Sequence, residues 1–269
     1  MNEANKFSNP KQVRELIRSN KWSKATVALA LGYAQANFIA LPKQYAFEFV
    51  TFCQRNPIAC PILEIIESGH SNPSMVAKDA DLRTDLPKYH IYKKGKLFDE
   101  VIDVTNYWSD DFISILMGCS FTVDNALLKA GIPMRHIEQK SADPIFITNI
   151  DCHLSGSFHG KLVVSMKPIA QSLVQKAVSV SSQYILAHGE PIQIDSPEEI
   201  GIKDIFKPDY GDSVSVNEGE IPVFWACGVT SQLAVLNANV EFFICHKPGH
   251  MFITDLIDEQ LKSIQPWKF

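Results

Sequence analysis

The sequence predicts an α/β protein: a sheet with flanking helices and a second, inserted α+β domain. Three observations lead there. Short apolar runs alternate with segments of helical spacing, most cleanly in the second half, as when helices pack on a sheet. At 269 residues, 46% hydrophobic and 20% charged, the chain has enough apolar material for one large or two modest domains. Two apolar runs end at a cysteine where a helix can begin, at Gly118-Cys119-Ser120-Phe121 and at Ala226-Cys227-Gly228.

Asn9-Pro10 starts a helix, with asparagine as cap and proline at the first helical position, and it ends near Ser19. A second helix begins at Leu41-Pro42, carries Tyr45, Phe49 and Phe52 on one face, and stops at Asn56-Pro57. Ile62 to Ile66 reads as a strand, Met75 to Tyr89 as loop, Lys96 to Thr105 as a strand or hairpin arm, and Asp110 to Met117 as a helix. Ser120 or Thr122 can cap a helix running to Lys129. Met134 to Ile137, Ile145 to Ile150 and Lys161 to Met166 are β-like, Ile169 to Leu186 is helical in pattern, and Pro191 to Ile194 is a strand. Ser196-Pro197-Glu198-Glu199 fits a capping box. Strand 221–226 follows, then a helix over 231–238 capped by Thr230, strand 241–245 and a short helix near Thr254. No internal repeat or flexible linker stands out. The expected division is therefore a main domain of 1–117 and 213–269 with an inserted domain of 118–212.

Charge and cysteine usage narrow the function. A net charge of -5 without a basic run argues against nucleic acid as partner. The first residues lack a signal-peptide h-region, and the most apolar window, Ala25 to Leu41, holds Gln35 and Asn37 and falls short of a membrane span. Six cysteines with no C-x-x-C pair read as reduced thiols of a cytoplasmic protein. A homo-oligomer is compatible with the composition.

Cys119 and Cys227 are the leading candidate catalytic residues. A thiol at a helix entrance sits beside free N–H groups that favour an anion and can be more acidic than a free thiol. Ser120 and Thr230 stand at the same two entrances. His246 and His250 flank Pro248-Gly249 in a stiff loop after strand 241–245. One connecting helix should set that strand beside 221–226, bringing both imidazoles near Cys227 as acid or base. The alternative is a turn whose histidines satisfy local backbone. Arg135, closing a β-like run with His136, could hold a substrate carboxylate or pair with a nearby acid. Asn149 could bind substrate or cap a turn. No dedicated metal or other cofactor is expected. A loose divalent ion on Asp209, Asp212 and a histidine competes with the simpler reading of solvated loop carboxylates.

Separated blocks resemble one family across nearly the whole chain. They include Gly32-Tyr33-Ala34-Gln35-Ala36-Asn37, Arg83-Thr84-Asp85-Leu86-Pro87, Gly118-Cys119-Ser120-Phe121, Gly131-Ile132-Pro133-Met134-Arg135-His136, Thr148-Asn149-Ile150, His188-Gly189, Phe224-Trp225-Ala226-Cys227-Gly228-Val229-Thr230 and His246-Lys247-Pro248-Gly249-His250-Met251. The chain resembles the D-glutamate cyclase family, whose bacterial members are described as hydro-lyases. The resemblance implies a two-part α/β fold and a lyase that removes water from a small carboxylic or amino acid. The named reaction closes D-glutamate to 5-oxo-D-proline. Ile147, Gln183 and Lys167 stand where the family pattern has arginines, Asp124 replaces a glutamate and Ser231 a proline, which implies a weaker anion clamp. Two rivals remain: a cofactor-independent isomerase or dehydratase using the paired cysteines, and a non-catalytic protein that binds a small acid.

Overall fold

The computed structural model describes residues 8–262. In chain order the elements are α1 (Pro10–Arg18), β1 (Tyr33–Pro42), α2 (Ala46–Arg55), β2 (Ile62–Ile66), β3 (Tyr89–Lys93), β4 (Lys96–Val101), β5 (Phe112–Gly118), α3 (Phe121–Lys129) and α4 (Arg135–Gln139). Then come β6 (Ile145–Asp151), β7 (Lys161–Ala170), α5 (Val174–Ser181), β8 (Gln193–Ile194), β9 (Glu220–Ala226), α6 (Val229–Asn237), β10 (Phe242–His246) and β11 (Phe252–Ile257). The expected mixture of helices and sheets is present. Every strand pairing is antiparallel, in a seven-stranded sheet ordered β2-β5-β1-β10-β3-β4, with β11 also on β1, and a four-stranded sheet ordered β6-β7-β9-β8.

Local signals decided α1. The Asn9 side chain accepts the Gln12 N–H at 3.3 Å, and Pro10 needs no donor there. Elsewhere tertiary pairing overrode the local pattern. Residues 112–118 form a strand, because β5 lies between β1 and β2 and is buried on both faces, so its apolar run has no readable period. Arg135–Gln139 is a short helix where a strand was expected, and the Thr254 region is strand β11. Pro42 ends β1 instead of opening a helix, and α2 starts after a 3-10 turn. Ser196 is left-handed (φ 44°) and makes no capping bond, so the capping box does not form.

The absence of a sequence repeat conceals a repeated structure. β1 and β5 pair in seven registers, from Ala36↔Gly118 to Pro42↔Phe112. β7 and β9 pair in seven registers, from Val164↔Ala226 to Ala170↔Glu220. Each pair is extended alike: Phe252 and Ile253 of β11 face Ala36 and Gln35, as Phe146 and Ile147 of β6 face Val164 and Val163. Glu64 of β2 meets Leu116, as Gln193 of β8 meets Phe224. Side-chain hydrogen bonds repeat as well. Thr254 Oγ1 donates to Ala34 O at 2.7 Å and accepts from Leu256 N–H, while Thr148 Oγ1 donates to Leu162 O at 2.7 Å and accepts from Ile150 N–H. The fold therefore contains two four-stranded units of one plan, β2-β5-β1-β11 and β8-β9-β7-β6. The last described strand completes the first unit, a permuted order that hides the repeat from a linear reading.

Both sheets feed the same cores. One packs Phe38, Ala40 and Leu116 with Val223 and Trp225 beneath α3 and α5; the other packs Ile39, Leu41 and Met117 with Met166, Phe224 and Ala226 beneath α2 and α6. β1 and β7 are buried along nearly their whole length, including the polar side chains of Gln35 and Asn37 in one and Ser165 and Lys167 in the other. Strand 220–226, which the division at 118–212 leaves outside the inserted segment, pairs within the second sheet.

Candidate functional site

β5 and β9 are equivalent strands, so Cys119 and Cys227 are equivalent residues. Each leaves its strand one residue before the cap of a helix, and the N–H groups of Phe121 and Val229 are directed at the respective thiols. Asn37 ties the two turns together. Its Nδ2 donates to Gly118 O at 2.7 Å, and a Cβ on Gly228 would lie 2.3 Å from its amide. Glycine is therefore required at 228 by the close approach of Asn37. In the other unit Ser165, shorter than Asn37, takes the equivalent place, and Ser120 follows the cysteine.

The thiols are not acidic. Both are buried, and burial pushes Cys119 well up and Cys227 up to about 12 despite the helix-start N–H groups. Each thiol is protonated at neutral pH. The sequence-based expectation of acidity fails because desolvation outweighs the helix terminus. Thr230 does not cap α6. It lies inside the helix, where its hydroxyl donates to Cys227 O at 2.7 Å and accepts from Val163 N–H at 3.0 Å, locking the Cys227 turn onto β7. Ser120 is buried at the start of α3 and makes no capping bond.

A buried charge cluster adjoins the thiols. Lys167 Nζ lies 3.0 Å from Asp124 and 2.7 Å from Asp143; His136 lies 3.3 Å from Asp124 and 3.1 Å from Asp143. All four are at most 8% exposed in their side chains. Burial works against the charges of Asp124, His136 and Lys167. The cations nevertheless hold the Asp124 carboxyl below its usual range, and the carboxylates hold His136 and Lys167 above theirs. Asp143 also opposes ionisation of both thiols, while Lys167 favours it at Cys227. By strand register, Lys167 corresponds to Ile39 of the other unit, and by helix position Asp124 corresponds to Gln232. The cluster marks where the two units differ in charge. Lys167, read from sequence as a weakened anion clamp, is already neutralised by two carboxylates.

Asp124, His136 and Asp143 offer ligand atoms within 4.8 Å of one another, a spacing that suits a metal ion. The Lys167 ammonium touches the same two carboxylates and supplies the positive charge an ion would bring. Asp209 and Asp212 accept the N–H groups of Ile147 and Ala142 at 2.7 and 2.8 Å, as loop carboxylates do.

The remaining sequence candidates lie in other surroundings. The Arg135 guanidinium pairs with Glu138 at 2.9 Å and Glu220 at 2.5 Å, the acid-paired alternative. Asn149 is exposed near the end of β6, with its Nδ2 3.4 Å from Glu199 O. The reasoning that set strand 241–245 beside 221–226 is overturned: β10 pairs with β1 and β3 in the first sheet, whereas β9 belongs to the second. The β9–α6–β10 connection crosses between sheets instead of returning to its own. His246 is buried; its Nδ1 accepts the Phe38 N–H at 3.0 Å, Gln232 lies 3.3 Å away, and burial lowers it to about 4. His250 Nδ1 lies 3.1 Å from Pro248 O, in a neighbourhood of Lys88, Lys247 and Glu100.

Sequence reasoning gave no role to His188. It is 1% exposed, left-handed (φ 77°), and its Nδ1 donates to Ile58 O at 2.8 Å. Its Nε2 is buried without a hydrogen-bond partner among the described residues. The available signal was the His188-Gly189 pair; what separated it from an ordinary turn was burial, which sequence does not show. A surface cleft of about 450 Å³ lies elsewhere, against Arg55, His153 and Leu154. Its one guanidinium already donates to Leu154 O.

Comparison with known proteins supplies the family. The D-glutamate cyclase family pattern matches residues 113–255, which spans β5 through most of β11 and includes both elbows and the charge cluster. A protein named "Putative hydro-lyase" from Geobacillus kaustophilus is 52% identical over 93% of this chain and 95% of its own length. One of the same name from Bacillus subtilis is 51% identical over 94% of this chain and 98% of its own. The similarity therefore runs through both four-stranded units and not only the matched segment. With its central elements inside the family pattern and half its residues shared with full-length relatives, the chain belongs to the D-glutamate cyclase family.

Proposed function

We propose that the protein removes water from a small amino or carboxylic acid, with closure of D-glutamate to 5-oxo-D-proline as the leading reaction. Family membership gives the reaction class. The single structural observation that supports it is the meeting of two helix entrances at Asn37, each with a protonated thiol. Backbone N–H groups there suit a carboxylate or a developing oxyanion. A thiol with a raised pKa suits a proton donor to departing oxygen better than a nucleophile. Ring closure also requires the amine to be held against the γ-carboxyl carbon, which confinement in a small site would supply.

Purified protein incubated with D-glutamate, with and without added divalent metal, tests this by mass detection of 5-oxoproline. Product formation above the uncatalysed rate is expected. No turnover across a panel of D- and L-amino and hydroxy acids would favour the binding-protein alternative. The equivalence of Cys119 and Cys227 favours one second reading, proton exchange at a substrate's α-carbon between paired thiols. Incorporation of solvent deuterium at that carbon without water loss would select it, since cyclisation leaves the α-hydrogen in place.

A further inference from the structure

We infer that His188 is the catalytic residue that accepts the proton from the substrate's amino group, a role that rests on the cyclisation reading above. The geometry points to it in three ways. A carbonyl can only accept, so the 2.8 Å contact to Ile58 O fixes the hydrogen on Nδ1 and leaves a bare lone pair on Nε2. That Nε2 is buried with no hydrogen-bond partner among the described residues, a costly arrangement that a ligand's N–H would relieve. The loop carrying His188 is pressed against the Cys119 elbow: a Cβ on Gly118 would fall 1.7 Å from Leu186 O and 3.4 Å from the Ala187 Cα. Gly118 lacks that Cβ, and this allows the loop to approach.

The charged group acting on the imidazole is Lys167, backed by Asp124, Asp143 and His136. Burial first, and Lys167 in addition, lower His188 to about 4. The ring is therefore neutral at physiological pH, with a buried, unprotonated Nε2 as its acceptor. Such a group cannot donate to a carboxylate. It selects a substrate with N–H to give, an amino acid over a keto acid.

The step balances. Two protons leave the ammonium nitrogen, the N–C bond to the γ-carboxyl carbon forms, a C–O bond of that carboxyl breaks, and its oxygen leaves with two protons as water. His188 Nε2 receives the first proton and passes it to the oxygen. The thiol of Cys119 or Cys227 gives the oxygen its second proton and recovers one from nitrogen.

The test pairs kinetics with NMR. His188→Gln keeps an amide donor for Ile58 O but cannot carry a proton. With D-glutamate, kcat is expected to fall at least one hundredfold, the lower end of general-base contributions, with KM within a few-fold. Normal kcat per folded molecule in the variant would overturn the inference. In the 15N-histidine-labelled wild type, Nε2 of His188 should show the shift of an unprotonated nitrogen at pH 6 and should move on addition of D-glutamate. A protonated Nε2 at pH 6, or no movement, would also overturn it. If the wild type does not turn D-glutamate over but the signal moves, the cyclisation reading fails while His188 stands as the group that receives the amine.

Discussion

Removing Lys167 should expose how the buried cluster is balanced. Its Nζ sits 3.0 Å from Asp124 and 2.7 Å from Asp143, and Lys167 itself is only 1% exposed. Lys167→Met keeps most of the side-chain volume but leaves two buried carboxylates facing one imidazole. Loss of one partner from a buried ion pair costs about 3–5 kcal/mol, against a total stability of about 5–15 kcal/mol. Asp124→Asn alone leaves Lys167 and His136 sharing one carboxylate, with a cost of the same sign. In the double variant His136 and Asp143, 3.1 Å apart, remain as a one-to-one pair. Its destabilisation should fall short of the sum by about 2–3 kcal/mol. The other unit shows that the scaffold tolerates this, with Ile39 and Gln232 in the corresponding places. Equilibrium urea unfolding at pH 7, followed by tryptophan fluorescence and circular dichroism, measures all four corners of the cycle. Additivity within about 0.5 kcal/mol would refute the coupled cluster.

Four further outcomes follow from named contacts. Gly228→Ala should destabilise the fold by about 1–3 kcal/mol through its clash with Asn37, and Asn37→Ser should relieve it, as thermal unfolding would show. Acid should weaken the fold below neutrality. His188 and His246 are held near 4, so between their ordinary value of 6.5 and 4 the unfolded chain binds protons that the folded chain refuses. The stability present above pH 6.5 is lost as pH falls, by about 2 kcal/mol per histidine at pH 5, and His246→Asn should flatten the profile measured by denaturant titration. His136, shifted upward, acts oppositely: its contribution is full below 6.5 and declines as pH rises through its folded value, so His136→Asn should lose less at pH 9 than at pH 6. Thiol alkylation followed by mass spectrometry should be slow at Cys119 and Cys227 in the folded protein at pH 7, because both are buried and protonated; rapid labelling there would contradict their burial.

The sequence by itself determined the elements whose signals are local. Asn9-Pro10 set the start of α1, Asn56-Pro57 the end of α2, and the strand-to-helix turn at Cys227 and the helix start after Cys119 were legible from an apolar run meeting a helix start. The spaced blocks were enough to identify the family. The tertiary structure decided what depends on pairing between distant segments. β5 looked helical because a strand buried on both faces shows no alternation. β10 was assigned the wrong neighbour because a connection through one helix can cross to another sheet. The repeated plan was invisible because strand register, not side-chain identity, is conserved between the units, and β11 completes the first unit from the far end of the chain. Burial decided the chemistry. It reversed the expected acidity of the thiols, turned Lys167 from a weakened anion clamp into a paired charge, and left one imidazole nitrogen of His188 without a hydrogen-bond partner among the described residues. Solvation is a property of the packed chain, so the free energy of a charge at any of these positions could not be read from the residue or its neighbours in sequence.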